Sequence, residues 1–591
     1  MAAKRRCQEE ESQDVASAVV QGPNSMENLQ PGPNRCLDAF IVALNQSCDG
    51  KKWYTSVAAL QLSSLAFCVA CRNVPAPCVT VDTGTPPRLW SGAVLDGDGQ
   101  EPCIAAPEGP KAVSRVPVFR VRGVMWKLTE PIDGIVLSSS LRRITFGGDF
   151  NQRMDKTLLP ASVEEIIFGE CFNQPVHNVT WPTSLEKLVF GQEFNQPIDK
   201  AVWPASLRDL SFGWSFNQPI QGGVLPASLQ RLRFSDAYLS EFNRRIDGTS
   251  LPASLVHLEL GRAFNQPIQD ISWPPSLEEI HFGASFNQPV NGAAWPICLQ
   301  NISFRADFNQ PVDKVVWPAS LHGLSFDGEF NQSMRGSALP TSLKYLYIGP
   351  SFNQPVAEIV WPQSMLRLTF NGSFNQPIHQ VVWPASLRHL AFGKSFNQPI
   401  HQVKWPASLK TLGFDEPQGT FDQPIHRVMW PTSLKRLSFG DSFNQPIAQV
   451  VWPFSLQSLS FYGSFNQPIH QVVWPASLRQ LIFSDSFNQP ISQVVWPASL
   501  ERVAFRDGFD QPIYRVKWTA RLRWIAFGKG FDQPMSSVVW PASLRRLLLP
   551  SHCSRELPAW PGVRVTLVEE LDNFGSAFYS WGSVGSQWYF D

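Results

Sequence analysis

The chain has 591 residues, 49 basic and 49 acidic side chains, and a formal net charge of zero. That balance provides no overall attraction to nucleic acid or to an anionic membrane. Hydrophobic residues make up 43%, which excludes a disordered chain, and charged residues make up 17%, below the usual quarter.

Residues 1–35 mix KRR, EEE, Gly, Pro and Asn and read as disordered. The opening MAAKRRCQEEESQD lacks the apolar core of a signal peptide. Residues 36–71 are richer in apolar side chains and predict one or two short helices, and residues 72–115 read as a Pro/Gly-rich loop. Together residues 36–127 predict a small N-terminal region or cap, irregular or helical. The 17 residues 54–70 are interrupted by Gln61 and several Ser, and a membrane span needs about 20 more strongly apolar residues. Cys68 and Cys71 have the spacing of half a zinc site, but no second pair follows, so no metal and no cofactor is assigned. Seven of the ten cysteines lie at or before Cys103 and none follows a period. With no disulfide ladder encoded, the expectation is a reducing compartment, the cytoplasm.

From residue 128 the chain repeats. A Phe followed by Asn or Asp recurs 18 times between Phe150 and Phe531, and 15 of the 17 gaps are 22 residues. The other two gaps, 26 and 25 residues, hold short insertions at 235–241 and 415–420. A degenerate copy in register precedes them, LTEPIDGIVLSSSL from Leu128, and a partial one, LPAWPGVRVTL, follows from Leu557. The unit is F-N-Q-P-I-x-x-V-x-W-P-A-S-L-x-x-L-x-F-G-x-S, whose places are counted here from the Phe. Leu-x-Phe at the seventeenth to nineteenth places, as in Leu390-Ala391-Phe392, predicts a short half-buried strand. Pro at the fourth and eleventh places forbids a helix through the middle and keeps the residue before each extended. A single unit cannot bury enough to offset the entropy of ordering it, so the units must stack and cover one another.

The expected fold is therefore mainly β: a solenoid of about 19 stacked 22-residue repeats with parallel strands and little helix over 128–550, closed by a C-terminal cap and aromatic tail at 551–591. In the unit opening at Phe374 the inward set is Phe374, Ile378, Val381, Trp383, Leu387, Leu390 and Phe392. The second place predicts an inward Asn ladder that donates to and accepts from backbone groups of the next rung. Asn173, Asn195, Asn375, Asn397 and Asn444 stand in it, with Asp422, Asp510 and Asp532 as acceptor-only members.

Phe374-Asn375-Gln376-Pro377-Ile378 and Trp383-Pro384-Ala385-Ser386-Leu387 carry a pattern that resembles the FNIP repeat, a relative of the leucine-rich repeats. The resemblance covers about 128–550 and implies a right-handed leucine-rich-repeat-like solenoid used for protein interaction. Family members join such repeats to an F-box or a kinase domain; neither signature stands in this sequence, so no ligase-adaptor role follows.

The search for chemistry gives no catalytic residue. Phosphate loops, H-E-x-x-H and G-x-S-x-G are missing, and the chain reads as not an enzyme. His379, His401, His426 and His470 share the sixth place, which reads as a surface column, because no carboxylate completes a ligand set. Charge, however, is uneven. Residues 128–343 hold 15 Lys/Arg against 22 Asp/Glu, and residues 344–546 hold 19 against 10. The second excess lies beside the strand, in Arg388, Lys410, Lys435, Arg436, Arg479, Arg502, Arg523, Arg545 and Arg546. On stacked rungs these make a basic stripe on the concave face, suited to an acidic protein partner or, alternatively, to an anionic glycan on a structural rod. Nucleic acid fits less well, since Trp524 is the only aromatic beside the stripe and bases need stacking platforms. The plainer reading is a solvated face, as Lys and Arg are mostly exposed in any protein.

Overall fold

The structure is a computed structural model, and it describes residues 80–81, 123–126, 137, 139–234, 239–247, 250–414, 418–556 and 560–568. The expected disordered start, the helices of 36–71, the Cys68–Cys71 pair and the aromatic tail 572–591 lie outside the described residues.

Each unit contributes one strand, and 22 strands form a single sheet. Every strand pairs in parallel with the strands before and after it in the chain, from Thr80–Val81 to Arg564–Val568. Register is kept place by place: Leu390 lies between Leu368 and Leu412, and Phe392 beside Phe370. The two insertions do not disturb it. Arg231–Phe234 still pairs with His257–Glu259, and Thr411–Phe414 with Arg436–Phe439, because the extra residues are absorbed between strands. The strand starts at the sixteenth place, one residue earlier than the Leu-x-Phe alternation predicts, as in His389–Phe392. The ladder also continues upstream of residue 128, through Gly123–Trp126. Among the described residues there is no α-helix, only a 3-10 turn at Ser551–Glu556.

The core is a set of continuous columns. Phe374, Ile378, Val381, Trp383, Leu387, Leu390 and Phe392 are all buried. The first-place Phe rings stack rung on rung, 6.1 Å apart between Phe374 and Phe396, and most meet a nineteenth-place ring, as Phe392 meets Phe396 at 4.2 Å. Such offset stacking adds to simple area burial. Where the tenth-place Trp is replaced, Leu225 is buried and Leu159, Leu251 and Leu339 pack against the same core.

Polar ladders bind the rungs along the edges of these columns. The thirteenth-place Ser hydroxyl donates to a carbonyl of the preceding rung, as Ser386 Oγ does to Met365 O at 2.6 Å. The second-place side chains are half-buried or exposed at the turn edge, not turned into the core, because the first-place Phe takes the inward direction. Their Oδ1 atoms accept the backbone N–H of the next rung's second place. Asn173 and Asn195 do so at 3.0 and 2.9 Å. Asn375 and Asn397 follow at 2.9 and 3.0 Å, then Asp422 and Asn444, both at 2.9 Å. Asp510 takes the N–H of Asp532 at 2.9 Å and Gln533 Nε2 at the same distance. Since only the acceptor oxygen faces the next rung, Asp serves as well as Asn there.

The turn after the strand is equally tight. A Cβ on Gly191 would fall 1.6 Å from the carbonyl oxygen of Gly169, so the twentieth place must be bare in such rungs. Where Asn371 occupies that place, the glycine moves one position on, and Gly372 takes a φ of 49°.

Candidate binding face on the strands

In each rung the seventeenth and nineteenth places point inward, so the sixteenth and eighteenth face out, with the fifteenth just before them. Stacking turns these places into columns that run from rung to rung. In the sixteenth-place column Arg367, His389, Thr411 and Arg436 are successive neighbours. The backbone is held firmly here: the N–H groups of Arg388 and His389 both donate to Leu366 O, at 2.9 and 3.0 Å.

The two halves of this face differ in how their charges are used. In the N-terminal half, acids and bases on neighbouring rungs neutralise each other. Arg142 pairs with Glu164 at 2.8 Å, and Glu165 takes both Arg143 and Lys187, the latter at 2.9 Å. Arg233 pairs with Asp209 at 3.2 Å, and Arg305 reaches Glu259 at 3.1 Å. His257 Nδ1 lies 2.7 Å from Glu279 Oε2. The imidazoles of His281 and His257, outweighing burial, hold the Glu279 carboxyl down to about 2.

The C-terminal half has no such balance. Arg388, Lys410, Lys435, Arg436, Arg523, Arg545 and Arg546 are exposed, and among the described residues none has a carboxylate within ion-pair distance. Arg479 is also exposed and pairs with Glu501 at 3.8 Å. Arg502 is half-buried. The stripe falls into two groups, separated by the neutral Gln457, Ser458 and Gln480. The first group also contains Arg367 and His389, which the charge count beside the strand does not single out. Burial first, and then Arg367, Arg436, Lys410 and Arg388, push the His389 imidazole down to about 4. The signal that would have found His389 is the sixteenth place itself, where it lies between Arg367 and Thr411, the latter following Lys410.

The sixth-place residues His379, His401, His426 and His470 are exposed, and no group of His, Cys, Asp and Glu among the described residues is arranged to hold a metal. No described helix is long and apolar enough to cross a membrane. The described cysteines, Cys171, Cys298 and Cys553, are free thiols.

Comparison with known proteins places this architecture. The family model described as FNIP Repeat matches at residues 130–171, 172–213, 202–237, 242–285, 330–373, 374–416, 421–463 and 465–508. The crystal structure of CroV588, described as a circular leucine-rich-repeat protein, is 36% identical over 75% of this chain and 67% of that one, with a TM-score of 0.62. The Toll–Spatzle complex of Drosophila matches over 73% of this chain and 61% of that chain at 13% identity and a TM-score of 0.50, a likeness of fold alone. A search of curated protein sequences gave no match. With parallel rungs at a 22-residue period, eight family matches and a relative of the same solenoid type, this chain belongs to the FNIP repeat family.

Proposed function

We propose that this chain is a non-catalytic binding scaffold that holds an acidic protein segment against its strand face, chiefly over the rungs from Arg367 to Arg436. The observation that carries the reading is the run Arg388, Lys410, Lys435 and Arg436 on successive rungs with, among the described residues, no carboxylate within ion-pair distance. Like charges carried on rungs about 5 Å apart repel one another. A ligand bearing carboxylates relieves that repulsion, and the fold itself gains nothing from it. The second group, Arg479, Arg502, Arg523, Arg545 and Arg546, extends the same face. The Toll solenoid in the structural comparison is described in complex with a protein, Spatzle, which supports this use of such a fold.

The test is fluorescence anisotropy with a labelled glutamate-rich 20-residue peptide, using wild type and a variant carrying Arg388→Glu, Lys410→Glu, Lys435→Glu and Arg436→Glu. Wild type should bind and the variant should not, with circular dichroism unchanged. Equal binding by both proteins dismisses this face. Retention on a sulfated polysaccharide column together with failure to bind the peptide favours an anionic glycan instead.

A further inference from the structure

The second arm of the unit carries a feature that neither the core nor the strand face uses. At the eighth and tenth places the side chains point inward, as Val450 and Trp452 do, so the ninth place points out to solvent. Over four successive rungs that place holds Met429, Val451, Val473 and Val495, each 79–84% exposed, with Phe454 of a neighbouring column 72% exposed beside them. Together they make an apolar strip on the order of 500 Å², near the upper end for the largest patch on a monomer. The fold tolerates other residues there, as Thr180, Ser272, Ala294 and Ala338 show, although exposed valine is common at this place, as at Val202, Val316, Val360, Val382 and Val539.

Charge bounds these four rungs: the ninth place is Lys404 in the rung before them and Lys517 in the rung after, with valine again beyond each, at Val382 and Val539. The adjacent seventh-place column repeats the arrangement, with Arg427 and Arg515 toward the ends and Gln449, Gln471 and Gln493 between them. All four cations are exposed, and among the described residues none has a carboxylate within ion-pair distance. These charges argue against a second copy of the chain as the occupant. Two strips laid together in opposite directions put Lys404 of one copy beside Lys517 of the other. Laid in the same direction, they put each lysine beside itself. Either way, cations meet at both ends.

Spacing selects the form of a partner. The Trp rings of this arm are 6.5 Å apart at Trp430–Trp452 and 5.9 Å apart at Trp496–Trp518. An α-helix advances about 5.4 Å per turn, so it can present roughly one apolar side chain to each rung. The five rung steps from Lys404 to Lys517 then span about 30 Å, the length of about 20 helical residues. We propose that Met429, Val451, Val473 and Val495 form a docking strip for an amphipathic helix of a partner protein, with carboxylates at both of its ends.

The test uses the full chain and two labelled 20-residue helical peptides with leucines along one face, one ending in Glu on both sides and one ending in Lys. The Glu-ended peptide should bind at least tenfold more tightly. A Val451→Ser/Val473→Ser/Val495→Ser variant should lose at least tenfold of that affinity while keeping its circular dichroism. A Lys404→Glu/Lys517→Glu variant should reverse the preference. Equal affinity for the two peptides, no binding of either, or an unchanged serine variant would overturn the proposal. So would a dimer, seen by sedimentation, that the serine variant abolishes.

Discussion

Asn466 separates the two things an asparagine ladder can supply, an amide and an acceptor oxygen. Its Oδ1 accepts the Asn488 N–H at 2.9 Å and Gln489 Nε2 at 3.0 Å. Asn466→Ala removes both bonds. At a net value of roughly 0.5–1.5 kcal/mol each, the loss should be about 1–3 kcal/mol. Asn466→Asp keeps the acceptor, and its ladder neighbours Asn444 and Asn488 are neutral, so it should cost only a few tenths of a kcal/mol. Long repeat arrays need not unfold in one step, so a global melting temperature is a poor readout. Hydrogen exchange at the Asn488 amide is local: Asn466→Ala should speed it about 5- to 150-fold, and Asn466→Asp should leave it nearly unchanged. If the two variants accelerate exchange equally, the acceptor oxygen is not what joins the rungs.

Gly169 and Gly148 stand one rung apart in neighbouring turns, yet should respond oppositely to alanine. A Cβ at Gly169 meets Gly147 O at 1.9 Å and one at Gly148 meets nothing within 4 Å, so only Gly169→Ala should speed hydrogen exchange at the Cys171 amide, which donates to Gly148 O at 2.8 Å; equal exchange in the two variants would refute the packing of the turns. Glu279 should make stability depend on acid. Its carboxyl is held at about 2 in the fold against an ordinary 4.5, so the contribution is present above about 4.5 and is lost as pH falls toward 2. The stability gap between wild type and Glu279→Gln should therefore narrow between about pH 5 and about pH 3, and a constant gap would show that the carboxylate charge is not what the two histidines hold.

The sequence is unusually legible at the level of fold, because 18 copies in one register reduce the problem to one rung. The inward columns from Phe374 to Phe392 follow from alternation and proline placement alone, and each is buried. Two local features are not readable that way. The second-place Asn sits at the turn edge because its direction depends on how the Phe before it enters the core, which a period does not specify. The strand gains its first residue, as at His389, from pairing with the neighbouring rung and not from its own pattern. The charged face is only half legible. Counting Lys and Arg finds the excess in the later rungs, but the count treats Glu279 as one more surface acid, although it lies against His257. Pairing is a property of two rungs 22 residues apart, visible only once their register is known.

Internal repetition also supplies its own controls. The first place is Phe in all 18 copies and is buried in all of them, so the fold fixes it. The fifteenth place holds Glu164, Gln300, His322 and Lys410 in rungs whose strands pair alike, so the fold is indifferent to it. The ninth place is permissive but leans to valine, as at Val202, Val316, Val360, Val382 and Val539. Where the fold is indifferent, a run of one chemistry over adjacent rungs has no structural cause within the solenoid. Three successive cations at Arg388, Lys410 and Lys435 are such a run, and the four apolar residues from Met429 to Val495 are set apart by the lysines that bound them. They lie on different arms of the rung, one beside the strands and one beside the tryptophans. A partner that needed both would have to reach around the coil, so the two runs are better assigned to separate ligands. Substituting either run should leave binding at the other unchanged.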